Sequence, residues 1–285
     1  MTMLSKHVTL FVFLIIVIFT TSAGTCIQIR YLSRQAARIQ ELHTVLDRLG
    51  ENQNNLLRDS RTILEEVRKP PPTNSYLSVR TFVLYSQADT INEGTIVLLG
   101  DSIVDSLYAP LLGERKTWNA AVAGVGARYY AEHARRLLQK ARPAIVIVAL
   151  GINDCCMHPY ESQEDTSQWL HFYKSIVSAI RSVDAVPVLV TILPVEDNRP
   201  LGTSYFSQTR IRSLNECIRH LAEEEELALI DAYAKFAAGE TMPVGGTVDG
   251  VHLTTHSSTM LKGELERGVA TAEAQIKNKK RRRSP

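Results

Sequence analysis

Four short stretches of this 285-residue chain carry the residue types that acyl transfer needs. In Gly100-Asp101-Ser102 a hydroxyl follows a glycine at the end of an apolar run. A serine hydroxyl is a poor nucleophile until a neighbouring base takes its proton. Asp249-Gly250-Val251-His252 offers such a base. A carboxylate three residues from an imidazole can fix its tautomer and leave the second ring nitrogen free. Gly151-Ile152-Asn153-Asp154 contributes an uncharged amide donor at Asn153, and Asn119 to Gly126 contributes glycine N–H groups before a helix. Donors of these kinds stabilise the oxyanion of a tetrahedral intermediate. Each stretch also has a plain reading in isolation, as a helix N-cap, a glycine turn, an Asn-Asp turn or a surface Asp-x-x-His turn.

The elements that must position these residues can be read from the pattern around them. Short β-branched runs at Thr95–Leu99, Thr117–Val122, Ala144–Leu150, Val186–Ile192 and Ala228–Asp231 predict five buried parallel strands. Helical stretches near 103–112, 127–141, 166–184 and 207–226 separate them, and a last helix follows Thr254. This alternation predicts a doubly wound, flavodoxin-like α/β domain of three layers, α/β/α, with a five-stranded parallel sheet. In such sheets the reactive groups sit in loops at the carboxyl ends of the strands, where all four stretches fall. A dinucleotide fingerprint is excluded, because Tyr129 stands where its third glycine is needed.

Four such stretches in this order resemble the blocks of the SGNH/GDSL hydrolase family over residues 94–270. Gly100-Asp101-Ser102 looks like the first block, Asn119 to Gly124 the second, Gly151 to Asp154 the third and Asp249 to His252 the last. The resemblance implies a serine carboxylic ester hydrolase, with Ser102 as nucleophile, His252 as general base and Asp249 as its orienting partner. It implies oxyanion donors at the Ser102 backbone N–H, the Gly124 N–H and the Asn153 side chain, with no cofactor and no metal. Ala121 departs from the family pattern where glycine or serine is frequent. The G-x-S-x-G elbow of α/β-hydrolases is missing, since position 104 is Val. Loops 155–165 and 193–206 face the expected site and contain no long apolar lid, so small acyl groups such as acetyl are the expected cargo. Two other readings use the same residues: an O-acyltransferase that passes the acyl group to a sugar hydroxyl, and a non-enzymatic stalked binding protein.

Upstream, Val8 to Ile29 holds no charged residue, which predicts a membrane anchor or a signal segment over 1–29. A heptad pattern through Leu32, Ile39, Leu46 and Val67, with Leu42, Leu49, Leu56 and Ile63, is broken by polar Gln53 and Ser60 and predicts a weak helical coiled-coil stalk over 30–69 with scope for self-association. A single amphipathic helix is the other reading. Pro70-Pro71-Pro72 opens a proline-rich hinge and lead-in over 70–93, and the hydrolase domain spans 94–276. Arg30, Arg34 and Arg38 behind the anchor favour a cytoplasmic domain by charge. The signal-like start favours export, and the expectation is a single-pass membrane protein with its catalytic domain extracytoplasmic.

Residues 277–285 form a basic tail, read as disordered, with six Lys+Arg; residues 1–69 hold nine Lys+Arg against six Asp+Glu. Residues 70–276 hold 17 Lys+Arg against 24 Asp+Glu, so the total of +2 hides an acidic domain, which argues against nucleic acid as a partner. An O-acylated carbohydrate or another small ester is the expected substrate. Four cysteines form neither a disulfide framework nor a C-x-x-C zinc pattern, and adjacent Cys155-Cys156 with His158 suits one metal poorly.

Overall fold

The computed structural model describes residues 38–44, 47, 50, 75–157 and 165–283. The expected anchor and most of the expected stalk lie outside those residues, as does His158. Among the described residues no helix is long and apolar enough to cross a membrane. The chain divides into two units, Met1–Pro72 and Thr73–Pro285. In the first, the described residues are helical.

The second unit opens with a helix inside the expected lead-in, α1 (Ser75–Ala88). It continues with β1 (Ile96–Gly100), α2 (Ser102–Asp105), β2 (Leu111–Leu112), β3 (Arg115–Asn119) and α3 (Ala127–Ala141). Then come β4 (Ile145–Ala149), a 3-10 turn (Asn153–Cys155), α4 (Thr166–Arg181), β5 (Val186–Val190), α5 (Gln208–Glu224) and β6 (Ala228–Ile230). Helices α6 (Ala232–Phe236) and α7 (Thr255–Arg283) complete it. The sheet order is β2-β3-β1-β4-β5-β6. Five strands are parallel in the expected flavodoxin-like order, and β1 and β4, apolar along their length, are buried almost throughout.

The expected five-stranded parallel sheet is corrected to a mixed sheet of six, because β2 pairs antiparallel with β3, Leu111 opposite Lys116. A helix had been expected over 103–112. Pro110 cannot donate a helical hydrogen bond, and Gly113-Glu114 makes a two-residue turn, so the chain leaves α2 at Asp105 and returns as a hairpin. The basic tail is corrected likewise: α7 runs on through Arg283.

The crossovers put α3, α4 and α5 on one sheet face, where right-handed connections require them, and leave the other to α7, which packs on β4, β5 and β6. The helices fit by periodicity. Helix α3 buries Ala127, Tyr130, Ala134, Leu137, Leu138 and Ala141, the i, i+3, i+4, i+7 stripe of an amphipathic helix. Helix α1 docks beside it, with Thr81 Oγ1 2.8 Å from the Tyr129 hydroxyl and the Tyr85 hydroxyl 2.6 Å from His133 Nδ1. This packing fixes the carboxyl ends of β1, β3 and β4, where the site forms.

Candidate active site

Strand β1 delivers Ser102. At Gly100 an added Cβ would lie 2.5 Å from Val104 Cβ and 2.8 Å from the Ala149 carbonyl, so only glycine lets α2 fold down onto the strand end. The Tyr130 hydroxyl bridges the carbonyls of Gly100 and Ala120 at 2.8 and 2.9 Å, tying the exits of β1 and β3 together. Asp101 caps α2, its carboxylate accepting from the Ile103 N–H at 3.1 Å. Burial pushes the Asp101 carboxyl up to about 7, against the pull of backbone donors from Ile103, Ile152 and Gly151. Ser102 follows, half-buried at the first position of α2.

His252 arrives from the far end of the domain, in the loop before α7. Its Nε2 stands 2.9 Å from Ser102 Oγ, and its Nδ1 stands 2.6 Å from Asp249 Oδ2. The other carboxylate oxygen of Asp249 accepts from the N–H groups of Val251 and His252 at 3.1 and 2.9 Å, so the turn that spaces the two residues also holds the acid. Partial burial raises the Asp249 carboxyl, but the hydrogen bonds from His252 and Val251 outweigh it and leave the group below its ordinary value. An ionised carboxylate can only accept, so the imidazole proton belongs on Nδ1 and the Nε2 lone pair faces the serine hydroxyl. That arrangement can draw the proton from Ser102 as a bond forms at its oxygen.

The loop bearing Asp249 is gripped by a residue the sequence reading missed. Glu196 is 1% exposed, although it carries a charge. One of its oxygens accepts from the N–H of Gly245 and from Arg199 Nε, both at 3.0 Å. The other accepts from the Thr247 N–H at 3.0 Å and the Thr247 hydroxyl at 2.7 Å. The Thr247 hydroxyl in turn accepts from the Gly250 N–H at 2.9 Å. Burial would raise Glu196, and these donors bring it down to about 2. Backbone bonds from Glu196 N–H to the Gly250 carbonyl and from Leu201 N–H to the Asp249 carbonyl complete the clasp. Loop 193–206, expected to face the site, thus also holds the acid. The only sequence signal was an acidic residue directly behind the apolar run to Val195.

Asn153 lies in the loop that follows β4, and Gly124 in the loop that follows β3. Gly100 and Ala149 are register partners, which sets the exits of β1 and β4 next to each other. Asn153 begins the 3-10 turn, and its Nδ2 donates to the Val125 carbonyl at 3.0 Å, spending one of two amide hydrogens on the loop that carries Gly124. Gly124 is exposed with φ +79, a conformation that favours glycine. Neither residue is bonded directly to Ser102 among the described contacts. The three members Ser102, His252 and Asp249 are. Asp154 closes the loop from behind, its carboxylate accepting from the Ala127 N–H at 3.1 Å.

Cys155 is buried, with Sγ 3.4 Å from the Gly151 carbonyl, and burial pushes its thiol well up. Cys156 forms an antiparallel bridge with Phe206, which joins the two loops expected to face the site. Among the described residues no group of three or more His, Cys, Asp or Glu is arranged to hold a metal ion.

Similarity to known proteins agrees with this geometry. No curated protein matches the chain in sequence. Its fold is that of solved hydrolases. A GDSL-like lipase from Bacteroides thetaiotaomicron is 15% identical with a TM-score of 0.59, covering 67% of this chain and 98% of its own. A lipase/acylhydrolase from Enterococcus faecalis is 19% identical with a TM-score of 0.53, covering 62% and 95%. A single-residue variant of the acetyl xylan esterase Axe2 from Geobacillus stearothermophilus is 17% identical with a TM-score of 0.51, covering 63% and 96%. The model of the GDSL-like lipase/acylhydrolase family matches residues 98–256, more than half the chain and all four of the stretches that hold the candidate site residues. The chain belongs to the GDSL-like lipase/acylhydrolase family, and the protein is a carboxylic ester hydrolase.

Proposed function

We propose that Ser102, His252 and Asp249 are the catalytic triad of an esterase that removes small acyl groups, acetyl above all, from hydroxyls of a carbohydrate. The observation that carries the reading is the unbroken chain of contacts from Asp249 through His252 to Ser102. Ser102 Oγ attacks the ester carbonyl carbon while His252 Nε2 takes its proton. The carbonyl oxygen becomes an oxyanion, held by the N–H groups of Ser102 and Gly124 and the remaining amide hydrogen of Asn153. As the intermediate collapses, the imidazolium returns the proton to the departing alcohol oxygen and the acyl-enzyme remains. Water then attacks with the same imidazole as base, and the acid and free serine are released.

Two features support a small acyl group. The loops around the site carry no long apolar stretch of the kind that would cover a fatty chain. Solved relatives of the same fold include acetyl xylan esterases. For placement, we read the uncharged segment 8–29 as a single-pass anchor that holds the catalytic domain on the extracytoplasmic side, with residues 30–69 as a stalk open to self-association.

Release of p-nitrophenol from acetate, butyrate and octanoate esters by the full chain, beside acetate release from acetylated xylan, tests the substrate. Turnover is expected to be highest on acetyl and to fall with chain length. A rate that rises toward octanoate would overturn the acyl assignment, and silence on every ester would overturn the hydrolase reading itself.

A further inference from the structure

Beyond Thr117, whose N–H donates to the Pro110 carbonyl at 3.0 Å, the outer edge of β3 pairs with no further strand among the described residues. Strand β2 reaches only Leu111 and Leu112, opposite Lys116 and Arg115. On the inner side the extended chain keeps pairing with β1: Ala120 N–H donates to the Leu98 carbonyl at 2.9 Å and Val122 N–H to the Gly100 carbonyl at 3.0 Å. Across each of those peptide planes the carbonyl points the other way, so the carbonyls of Asn119 and Ala121 face the bare edge. Buried backbone acceptors require partners.

Arg80 of α1 supplies them. Its Nε and Nη2 donate to the Ala121 carbonyl at 3.0 and 2.9 Å, and Nη2 also donates to the Asn119 carbonyl at 3.0 Å. The same guanidinium pairs with Asp105 at 3.2 Å, and both side chains are about one-fifth exposed (20% and 18%). The second oxygen of Asp105 accepts from the Ala123 N–H at 3.2 Å and from the Tyr76 hydroxyl. A planar fork suits this double task, because one group can serve several acceptors in a fixed geometry. On its outer side the segment from Asn119 to Ala123 is therefore held by Arg80 of α1 at Asn119 and Ala121, and at Ala123 by Asp105 of α2, with which Arg80 pairs. The next residue is Gly124.

We infer that Arg80 is a positioning residue for the oxyanion site: it acts as the missing edge strand of β3 and aims the Gly124 N–H. The inference rests on the role given to Gly124 above. It makes α1, which lies outside the residues matched by the family model, a working part of the catalytic domain.

The test uses the full chain with Arg80→Met, which keeps the apolar stem and removes the donors, and with Arg80→Lys, which keeps the charge without the fork. Rates are taken per active site, counted by titration with a serine-directed organophosphate. Arg80→Met is expected to lower kcat about 10- to 100-fold with KM within about twofold, somewhat less than deletion of an oxyanion donor outright. Affinity for a trifluoromethyl ketone, whose adduct carries the oxyanion, is expected to fall by the same factor. Amide hydrogen exchange across 119–125 is expected to accelerate. Arg80→Lys should recover only part of the rate, and millimolar guanidinium should rescue Arg80→Met. A role in stability alone would lower Tm and the titrated fraction without changing the rate per site or the affinity for the ketone, and that result overturns the inference. Should wild-type protein turn over no ester, the reading of Gly124 falls on its own account. Exchange across 119–125 then decides the clamp, and unchanged exchange in folded Arg80→Met refutes it.

Discussion

His252 Nε2 stands 2.9 Å from Ser102 Oγ although 150 residues separate them in the chain. The two reach each other because each is fixed at the same edge of one sheet. Ser102 is set by a strand end that only glycine permits, and His252 by a loop clasped through Glu196 and Thr247. The serine hydroxyl is thus placed by local sequence, and the imidazole by contacts between distant segments.

Replacing Ser102 by Ala is expected to reduce kcat by at least about 10⁴-fold with the fold intact, since among the described residues no other hydroxyl is bonded to the imidazole. Asp249→Asn is expected to cost a similar factor. An amide can donate to Nδ1, which moves the ring proton to Nε2 and leaves Ser102 without an acceptor. Steady-state rates on p-nitrophenyl acetate, with circular dichroism to verify folding, decide both. Near wild-type turnover by Asp249→Asn would mean that the carboxylate does not set the tautomer.

Substitutions at Asn153 separate charge from shape and test the oxyanion role proposed for it. Asn153→Ala is expected to lower kcat about 10²- to 10³-fold, the usual cost of one oxyanion donor. Asn153→Asp should do worse at neutral pH, because it places a carboxylate where negative charge develops. Both variants also lose the donor to the Val125 carbonyl, so a difference between them isolates the charge. Equal losses would show that Asn153 serves only to brace the loop.

Much of this site was legible because its residues advertise themselves locally. Ser102, Asn153 and the Asp249/His252 pair each follow a strand or precede a helix within a few residues, and the parallel order of the sheet puts those loops on one edge. The supporting residues left no such mark. Arg80 and Glu196 look like ordinary surface charges in sequence; what makes them structural is a bare strand edge 39 to 41 residues from Arg80 and a loop 49 to 51 residues from Glu196. Contacts of that range are set by packing, and periodicity does not carry them. The two-residue strand β2 was hidden for a related reason, since a hairpin this short has no alternation to read.

Asp101 gives the domain a pH dependence of known sign. Its carboxyl titrates near 7 in the folded protein against 3.8 as the ordinary value, so the folded state binds the proton more tightly. The contribution to stability is full below pH 3.8 and is lost as pH rises through about 7, an effect of up to about 4 kcal/mol for three pH units. Asp101→Asn keeps an oxygen to accept from Ile103 N–H and carries no charge to desolvate. Its Tm is expected to exceed that of wild type increasingly from pH 4 to pH 7. A constant offset across that range would place the titration elsewhere.

Glu196 runs in the opposite direction and reaches the chemistry. It is buried with four donors aimed at its two oxygens, and they hold it at about 2 against an ordinary value of 4.5. A depressed folded-state value means that the stabilisation is complete above pH 4.5 and disappears as pH falls toward 2. Glu196→Gln should flatten that acid limb. The amide can satisfy one pair of donors through its oxygen, but its NH₂ then confronts the other pair, so stability at neutral pH should fall by about 1–3 kcal/mol. The loosened clasp acts on Asp249 through the Leu201-to-Asp249 and Glu196-to-Gly250 backbone bonds, so kcat should fall with Tm while Ser102 and His252 remain in place chemically. Thr247→Val separates the two routes: it keeps the Glu196 charge and removes the hydroxyl that links Glu196 to Gly250. If Thr247→Val lowers kcat and retains the acid limb, the clasp transmits to the triad through that hydroxyl. If kcat is unchanged in both variants, Glu196 stabilises the loop without setting the acid.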